Sequence, residues 1–235
     1  MKIYSKKQVV KRILNIASVL VFLGLVLYYF FFAGKTMITA FAGAVCVLIA
    51  ILFLYHEYLD HLFLKALYYL NQENDPDRAL EAFEAVTKAD IFKTYEKDRG
   101  LFDAMVAIEK GENERVIHIV EENDEKFRSS VEMLMIRAFF LMRAYQELGE
   151  KGKVLSVFED IKDIEKMKKR PDPVPIEEYY GIVSLAKGDK KKAYQYFSSI
   201  DKNRLNPKER SYVLKKQLEC AGNNAQKDRI LHEIK

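Results

Sequence analysis

The chain has 235 residues, 38 of them basic and 34 acidic, and a formal net charge of +4 at neutral pH. All 34 acidic residues follow Tyr55, whereas six basic residues precede it, so the positive excess lies in the first 55 residues and the rest is nearly neutral. This distribution argues against a nucleic-acid-binding protein. The two cysteines, Cys46 and Cys220, give no sign of a disulfide framework and agree with exposure to the cytosol.

Two apolar runs without any charged residue lie near the start of the chain, at residues 13–33 and 36–55. A helix of about 20 residues crosses a hydrocarbon core of about 30 Å, so both runs are predicted to be transmembrane helices. Only Gly34 and Lys35 separate them, which predicts a tight hairpin over residues 13–55 with both chain ends on one side. Five of the six early basic residues lie in the N-terminal segment 1–12, and positive flanks stay in the cytoplasm. We therefore expect an integral plasma-membrane protein whose two termini and remaining residues are cytoplasmic.

Small residues at helical spacing in both spans would let the two backbones approach closely. We expect these residues to pack the hairpin: Ala17, Gly24, Ala40, Gly43 and Ala44. The polar Asn15 and Ser18 leave a transport role as an alternative. A cleaved signal peptide is not expected, because the aromatic run 30–32 closes a full-length span.

After the spans, apolar residues recur at spacings of three and four, which predicts an all-α protein. No Gly or Pro lies between Ala44 and Asp75. We therefore expect the second span to continue directly into the leading helix of the cytoplasmic region.

A turn signal recurs at Asn74, Gly111, Gly149 and Gly188, with intervals of 37, 38 and 39 residues. Small or β-branched residues follow five positions after each turn, and larger apolar residues four positions later. The two sets are Ala79, Val116, Val154 and Ala193, then Phe83, Val120, Phe158 and Phe197. The pattern predicts a helix-turn-helix unit that is repeated four times in the sequence.

The clearest unit, residues 180–197 (YGIVSLAKGDKKKAYQYF), resembles the tetratricopeptide repeat (TPR), with Gly181, Gly188, Ala193 and Phe197 at the family's packing positions. Residues 77–83 (DRALEAF) fit the same pattern, and the resemblance covers about residues 58–200. These units are longer than the family's 34 residues. The resemblance implies a TPR-like solenoid of about four repeats over residues 56–205, whose usual role is recognition. Asn206 and Pro207 begin a further helix, and we expect residues 206–235 to form capping helices.

No motif in the chain points to catalysis or to a cofactor. His56 and His61 are five residues apart, whereas two zinc ligands on one helix face are four apart, so a metal site and a membrane metalloprotease are disfavoured. The basic run 166–170 precedes a proline-rich segment and reads as a solvated loop, with contact to anionic lipid or nucleic acid as alternatives. We expect no enzyme activity.

The resemblance to TPR proteins implies that the leading helix of each repeat lines the inner surface of the array. The expected partner-binding groove comprises Leu64, Tyr68, Asn71, Leu101, Met105, Ile108, Phe139, Arg143, Gln146, Glu178 and Ile182. This mostly apolar set with one cation suits an amphipathic helix or an extended peptide. We expect a membrane-anchored scaffold or adaptor for a protein or peptide partner. The alternative is an accessory subunit of a membrane transport or protein-insertion complex, in which the hairpin contacts other membrane subunits.

Overall fold

A computed structural model describes residues 6–32, 37–164 and 174–234 of the chain. Within these ranges no residue lies in a β-strand, so the all-α prediction is confirmed. The α-helices are α1 (Lys6–Phe32), α2 (Met37–Tyr68), α3 (Pro76–Ala89), α4 (Arg99–Lys110), α5 (Asn113–Glu122), α6 (Asp124–Phe127), α7 (Val131–Glu147), α8 (Lys151–Ile161), α9 (Ile176–Ala186), α10 (Lys190–Ser199), α11 (Pro207–Cys220) and α12 (Asn224–Ile234).

The chain divides into two compact units. The hairpin unit comprises the chain up to Tyr68 together with Glu81–Lys93, and the repeat unit comprises Tyr69–Leu80 together with the chain from Thr94 onward. The first of the four predicted repeats is therefore shared between the two units.

Two helical stretches are long and apolar enough to cross a membrane: Val10–Tyr29 in α1, and Phe41–Glu73, which comprises most of α2 and the five residues after it. Large apolar side chains point outward along α1 and along α2 as far as Leu52; Val21 is 64% exposed and Leu25 is 63% exposed. A helix that is apolar on all sides is stable only when protein or lipid covers it. The prediction of two helices of membrane-spanning length and composition is thus confirmed.

The contact between α1 and α2 differs from the predicted one. Residues at spacings of three and four are partly or fully covered on both helices, as in a coiled-coil seam. These residues are Arg12, Asn15, Val19, Leu23 and Val26 on α1, and Gly43, Cys46, Ala50, Leu54 and Glu57 on α2.

Three of the small residues expected to pack the hairpin, Ala17, Gly24 and Ala44, are exposed instead. A side chain built at Gly24 would meet nothing within 4 Å. Gly43 is half-buried and Ala50 is 3% exposed, so these are the small residues at the seam. The side chain of Ala40 lies outside the described part of the chain. Small size alone does not reveal which face of an apolar helix meets its neighbour.

An ion pair joins the start of α1 to α2. Arg12 Nη2 lies 2.7 Å from Glu57 Oε2, and the same nitrogen donates to the Glu57 carbonyl at 2.5 Å. Arg12 precedes the first apolar run and Glu57 follows the second, so the two ends of the hairpin lie side by side. Both side chains are less than one-fifth exposed, at 19% and 15%.

Helix α2 runs without a break from Met37 to Tyr68, and a π-helical turn, Tyr69–Glu73, follows it. Continuous helix beyond the apolar run is what the lack of Gly and Pro predicts. The helix ends at Asn74, whose φ of +58° lies in the left-handed region.

The other three predicted turns have the same backbone conformation. Gly111, Gly149 and Gly188 have φ values of +74°, +77° and +79°. At each of these turns, the amide of the residue after the glycine donates to a carbonyl five positions back, at 2.9 Å. This Schellman arrangement satisfies the last carbonyls of a helix. The bonds run from Glu112 to Ala107, from Glu150 to Tyr145 and from Asp189 to Ser184. Glycine recurs here because it adopts positive φ without steric cost.

In the repeat unit, helices that are neighbours in sequence are neighbours in space. Helix α4 packs on α5, α7 on α8 and α9 on α10, while α5 contacts α7 and α8 contacts α9. The small or β-branched residue after each turn is fully buried, with 0% exposure at Ala79, Val116, Val154 and Ala193. Helices α9 and α10 approach so closely that a side chain on Gly181 would lie 2.8 Å from the ring of Phe197.

Candidate functional site

A buried ion pair lies in the interior of the repeat unit, between α7 and α9. Arg143 of α7 is 6% exposed and Glu178 of α9 is 2% exposed. Arg143 Nε donates to Glu178 Oε1 at 2.5 Å. Helices α7 and α9 are in contact, which brings together two residues that are 35 positions apart in sequence.

Two aromatic rings enclose the guanidinium of Arg143. Its central carbon lies 4.3 Å from the centroid of Phe139, one turn earlier on α7, and 4.0 Å from the centroid of Tyr212 on α11. Both rings therefore present their faces to the cation, which is the attractive cation–π geometry.

The environment keeps Arg143 charged and Tyr212 neutral. Burial by itself lowers the pKa of Arg143, but the Glu178 carboxylate and the weaker attractions around it together raise it by more, so the pKa lies above its ordinary value. Burial raises the pKa of the Tyr212 hydroxyl well above its usual range. At neutral pH the site therefore presents a fixed cation beside a phenol that keeps its proton.

A cavity of about 290 Å³ opens beside this cluster, between α4, α7 and α11. Apolar, acidic and basic side chains all line it. They are Ile108, Glu109, Lys110, Asn113, Arg143, Glu147, Lys208, Glu209 and Tyr212, together with the turn residue Gly111. Arg143 Nη2 is buried and has no hydrogen-bond acceptor among the described residues. We call this space the Arg143 pocket.

Helix α11 forms one wall of the Arg143 pocket. It starts at a capping box, in which the Asn206 side chain accepts from the amides of Lys208 and Glu209, and Pro207 occupies the first helical position. Near this end, Lys208 Nζ lies 2.8 Å from Glu109 Oε2 on α4.

Further along α11, Lys216 Nζ lies 2.6 Å from Glu147 Oε1 on α7. Burial lowers the pKa of Lys216, but its hydrogen bonds to Glu147 and Glu219 together raise it by more, so the amine stays charged. Helix α11 also packs on α10, where Gln217 Nε2 donates to the Phe197 carbonyl at 2.7 Å. The helix expected to cap the array thus also lies against α4 and α7, which carry part of the expected groove.

The predicted groove residues do not all lie on one open surface. Arg143 contacts both Phe139 and Glu178, and Ile108 and Arg143 both line the pocket. Ile182 is only 1% exposed and belongs to the core. The other predicted groove residues are half-buried: Leu64, Tyr68, Asn71, Leu101, Met105 and Gln146. Of these, Leu64 and Tyr68 belong to the hairpin unit and Asn71 to the repeat unit.

Sequence reasoning missed Tyr212 and Lys216 as members of this site. Lys216 is 3% exposed on a helix face shared with Val213 and Gln217, which are also buried. A lysine on the buried face of a helix needs an acidic partner. The position of Lys216 on such a face is the signal in the sequence that could have predicted an acidic partner such as Glu147. Nothing comparable marks Tyr212.

Two further features of the sequence analysis are the histidine pair and the basic run. His56 Nε2 lies 3.8 Å from Asp60 Oδ2, one turn away, and no group of three metal-ligating side chains occurs among the described residues. The basic run 166–170 and the prolines at 171 and 173 lie outside the residues that the structure describes.

No protein-family model matches this chain, and neither a curated protein nor a solved structure matches it. The likeness to the tetratricopeptide repeat therefore rests on the residues and turns of this chain itself.

Proposed function

We propose that this protein is a membrane-anchored cytoplasmic scaffold or adaptor, whose TPR-like repeats bind a protein or peptide partner. Two observations support the architecture: two helices of membrane-spanning length and composition, and four turns of left-handed conformation at intervals of 37 to 39 residues. The early basic residues support the cytoplasmic orientation. The protein acts by recognition, without a catalytic step of its own.

The Arg143 pocket is the observation that carries this proposal. A buried donor without an acceptor costs about 1–3 kcal/mol. Arg143 Nη2 has no acceptor among the described residues, and Arg143 is one of the residues that line the cavity. A carboxylate or carbonyl oxygen from a partner would satisfy it. The half-buried Ile108 and the ring of Tyr212 supply apolar surface next to the cation. We therefore propose that a partner inserts one acceptor-bearing side chain or chain end into this pocket.

Site-specific photocrosslinking of the full chain in its own membrane tests the proposal. A photoreactive residue at Asn113, on the pocket wall, should capture a discrete protein. The matched control is the exposed Lys191 on α10, which lies outside the pocket. Arg143→Lys keeps the charge but replaces the whole guanidinium, including Nη2 and the Nε that contacts Glu178, so it should weaken capture at Asn113. Equal capture from both positions, or none from Asn113, would contradict the proposal, as would peptide or nucleotide hydrolysis by the purified chain.

A second candidate function makes the hairpin itself the interaction surface. Ala17, Gly24 and Ala44 face away from the seam, and small outward residues let a further membrane helix approach closely. In this alternative the protein is an accessory subunit of a membrane transport or protein-insertion complex. Detergent pull-down separates the two functions, because Gly24→Leu should abolish recovery of polytopic membrane subunits only under the alternative, while Arg143→Lys should leave that recovery unchanged.

A further inference from the structure

A short loop after α3 presents two large apolar side chains to the outside of the hairpin unit. Ile91 is 79% exposed, more than any other large apolar residue in the described part of the chain, and its neighbour Phe92 is 64% exposed. Among the described residues of the repeat unit, by contrast, the exposed large apolar residues are less exposed and scattered singly; they are Val131, Leu148 and Leu231. Single exposed apolar residues are ordinary, whereas two adjacent ones at a loop tip call for a partner surface.

Hydrogen bonds hold this loop against the end of the second apolar run. The Ile91 amide donates to the Tyr55 hydroxyl at 2.7 Å, and that hydroxyl donates to the Ala89 carbonyl at 2.7 Å. The Phe92 ring meets the Tyr55 ring edge-on, with centroids 5.8 Å apart. Tyr55 is the last residue of the apolar run 36–55, so the loop tip lies at the level where that run ends.

The loop backbone keeps the two side chains pointing outward. Ile91 and Phe92 form a tight turn, closed by the Lys93 amide, which donates to the Asp90 carbonyl at 3.2 Å. Lys93 itself has a φ of +54°, an unfavourable value for a residue with a side chain. The turn therefore places both side chains on the outside of the hairpin unit.

We propose that Ile91 and Phe92 insert into the headgroup–acyl boundary of the bilayer that the hairpin crosses, as a second point of membrane attachment. Tyrosines at the ends of membrane spans lie in the headgroup layer, and Tyr55 fixes the loop at that depth. Lys88 and Lys93 on either side are exposed and suit anionic headgroups. Lys88 Nζ also lies 3.9 Å from Glu84 Oε2 in an exposed ion pair. The inference rests on the proposed role of the hairpin as a membrane anchor.

The absence of tryptophan from the chain makes a direct test possible. The full-length protein carrying Phe92→Trp is reconstituted into vesicles of phosphatidylcholine and phosphatidylglycerol, with the phosphatidylcholine brominated either near the headgroup or near the chain end. Ile91→Trp is a second placement of the reporter. Lys191→Trp, on the repeat unit, reports a water-exposed position, and Tyr29→Trp reports the first span.

We expect Phe92→Trp and Ile91→Trp to emit at shorter wavelength than Lys191→Trp and to be quenched more by bromine near the headgroup than by bromine near the chain end. Water-like emission without quenching, while Tyr29→Trp is quenched, would overturn the inference and leave the anchor intact. Blue-shifted emission without quenching would also overturn it, because protein rather than lipid would then cover the loop. Failure of bromine at either depth to quench Tyr29→Trp would overturn the anchor itself and this inference with it.

Discussion

At residue 181 the ring of Phe197 occupies the space that a side chain would need. A Cβ there would lie 2.8–2.9 Å from three ring carbons, and Phe197 is fully buried, so the ring cannot swing aside without disturbing the core. We predict that Gly181→Val destabilises the protein by about 2 kcal/mol or more, since overpacking a core costs about 1–3 kcal/mol. The measurement is the loss of helical circular dichroism on heating the full chain in detergent.

Gly152 provides the matched control for this substitution. It lies in α8, is exposed, and a Cβ there would meet nothing within 4 Å. Gly152→Val should therefore change stability by no more than about 0.5 kcal/mol, as for ordinary surface sites. Equal melting temperatures for the two variants would show that α9 and α10 do not approach as closely as described.

The pair of Arg143 and Glu178 gives a second prediction at the scale of single residues. Breaking a buried ion pair leaves an uncompensated charge and costs about 3–5 kcal/mol, whereas replacing both partners by apolar residues is often neutral or stabilising. Glu178→Gln should thus lower the thermal stability strongly. The double variant Arg143→Met with Glu178→Met should recover most of the loss. A loss below about 1 kcal/mol for Glu178→Gln would show that the pair is solvated.

At the scale of elements, the left-handed residues that close the helices determine where each helical hairpin turns. An L-residue in this conformation costs about 1–2 kcal/mol, while Asn tolerates it better than most residues. We predict that Gly111→Ala, Gly149→Ala and Gly188→Ala each destabilise the protein by about 1 kcal/mol. Asn74→Gly should have no destabilising effect. Thermal unfolding checks the series, and a Gly188→Ala variant as stable as the native chain would contradict it.

These turns could be predicted from the sequence, whereas the position of α11 could not. Gly and Asn adopt the left-handed conformation more easily than other residues, so Asn74, Gly111 and the later turn glycines can be recognised in the sequence by their regular spacing. Periodicity likewise indicates which face of a helix is buried, but it does not name the partner. The contact of Tyr212 with Arg143 joins residues 69 positions apart, and no local pattern specifies it.

For the whole molecule, the two helices of membrane-spanning length and composition were predictable, because a bilayer demands about 20 apolar residues and tolerates few charges. The residues at the contact between α1 and α2 could not be predicted, because almost every residue of the two apolar runs is apolar and no polar face marks the contact. The assignment of Glu81–Lys93 to the hairpin unit was also not predictable. Hydrogen bonds of the Tyr55 hydroxyl with Ala89 and Ile91 join this segment to α2, and no spacing in the sequence reveals them.

The cytoplasmic orientation of the repeats is the central claim, and the native cysteine in the repeat unit is a poor reporter of it. Cys220 is 3% exposed, and burial raises the pKa of its thiol to about 11. At neutral pH its thiolate fraction is thus lower by about a hundredfold than that of an exposed thiol, and the native chain should label slowly on either side of a membrane. Engineered cysteines at exposed positions avoid this.

The most direct measurement is labelling of two single engineered cysteines by a membrane-impermeant maleimide in intact cells, with the native chain as background. Lys191→Cys lies on the exposed face of α10, and Lys35→Cys lies in the predicted turn between the spans. We predict that Lys35→Cys labels in intact cells and that Lys191→Cys labels only after the membrane is opened. Labelling of Lys191→Cys in intact cells would contradict the orientation, and failure of both to label until the membrane is opened would contradict the hairpin.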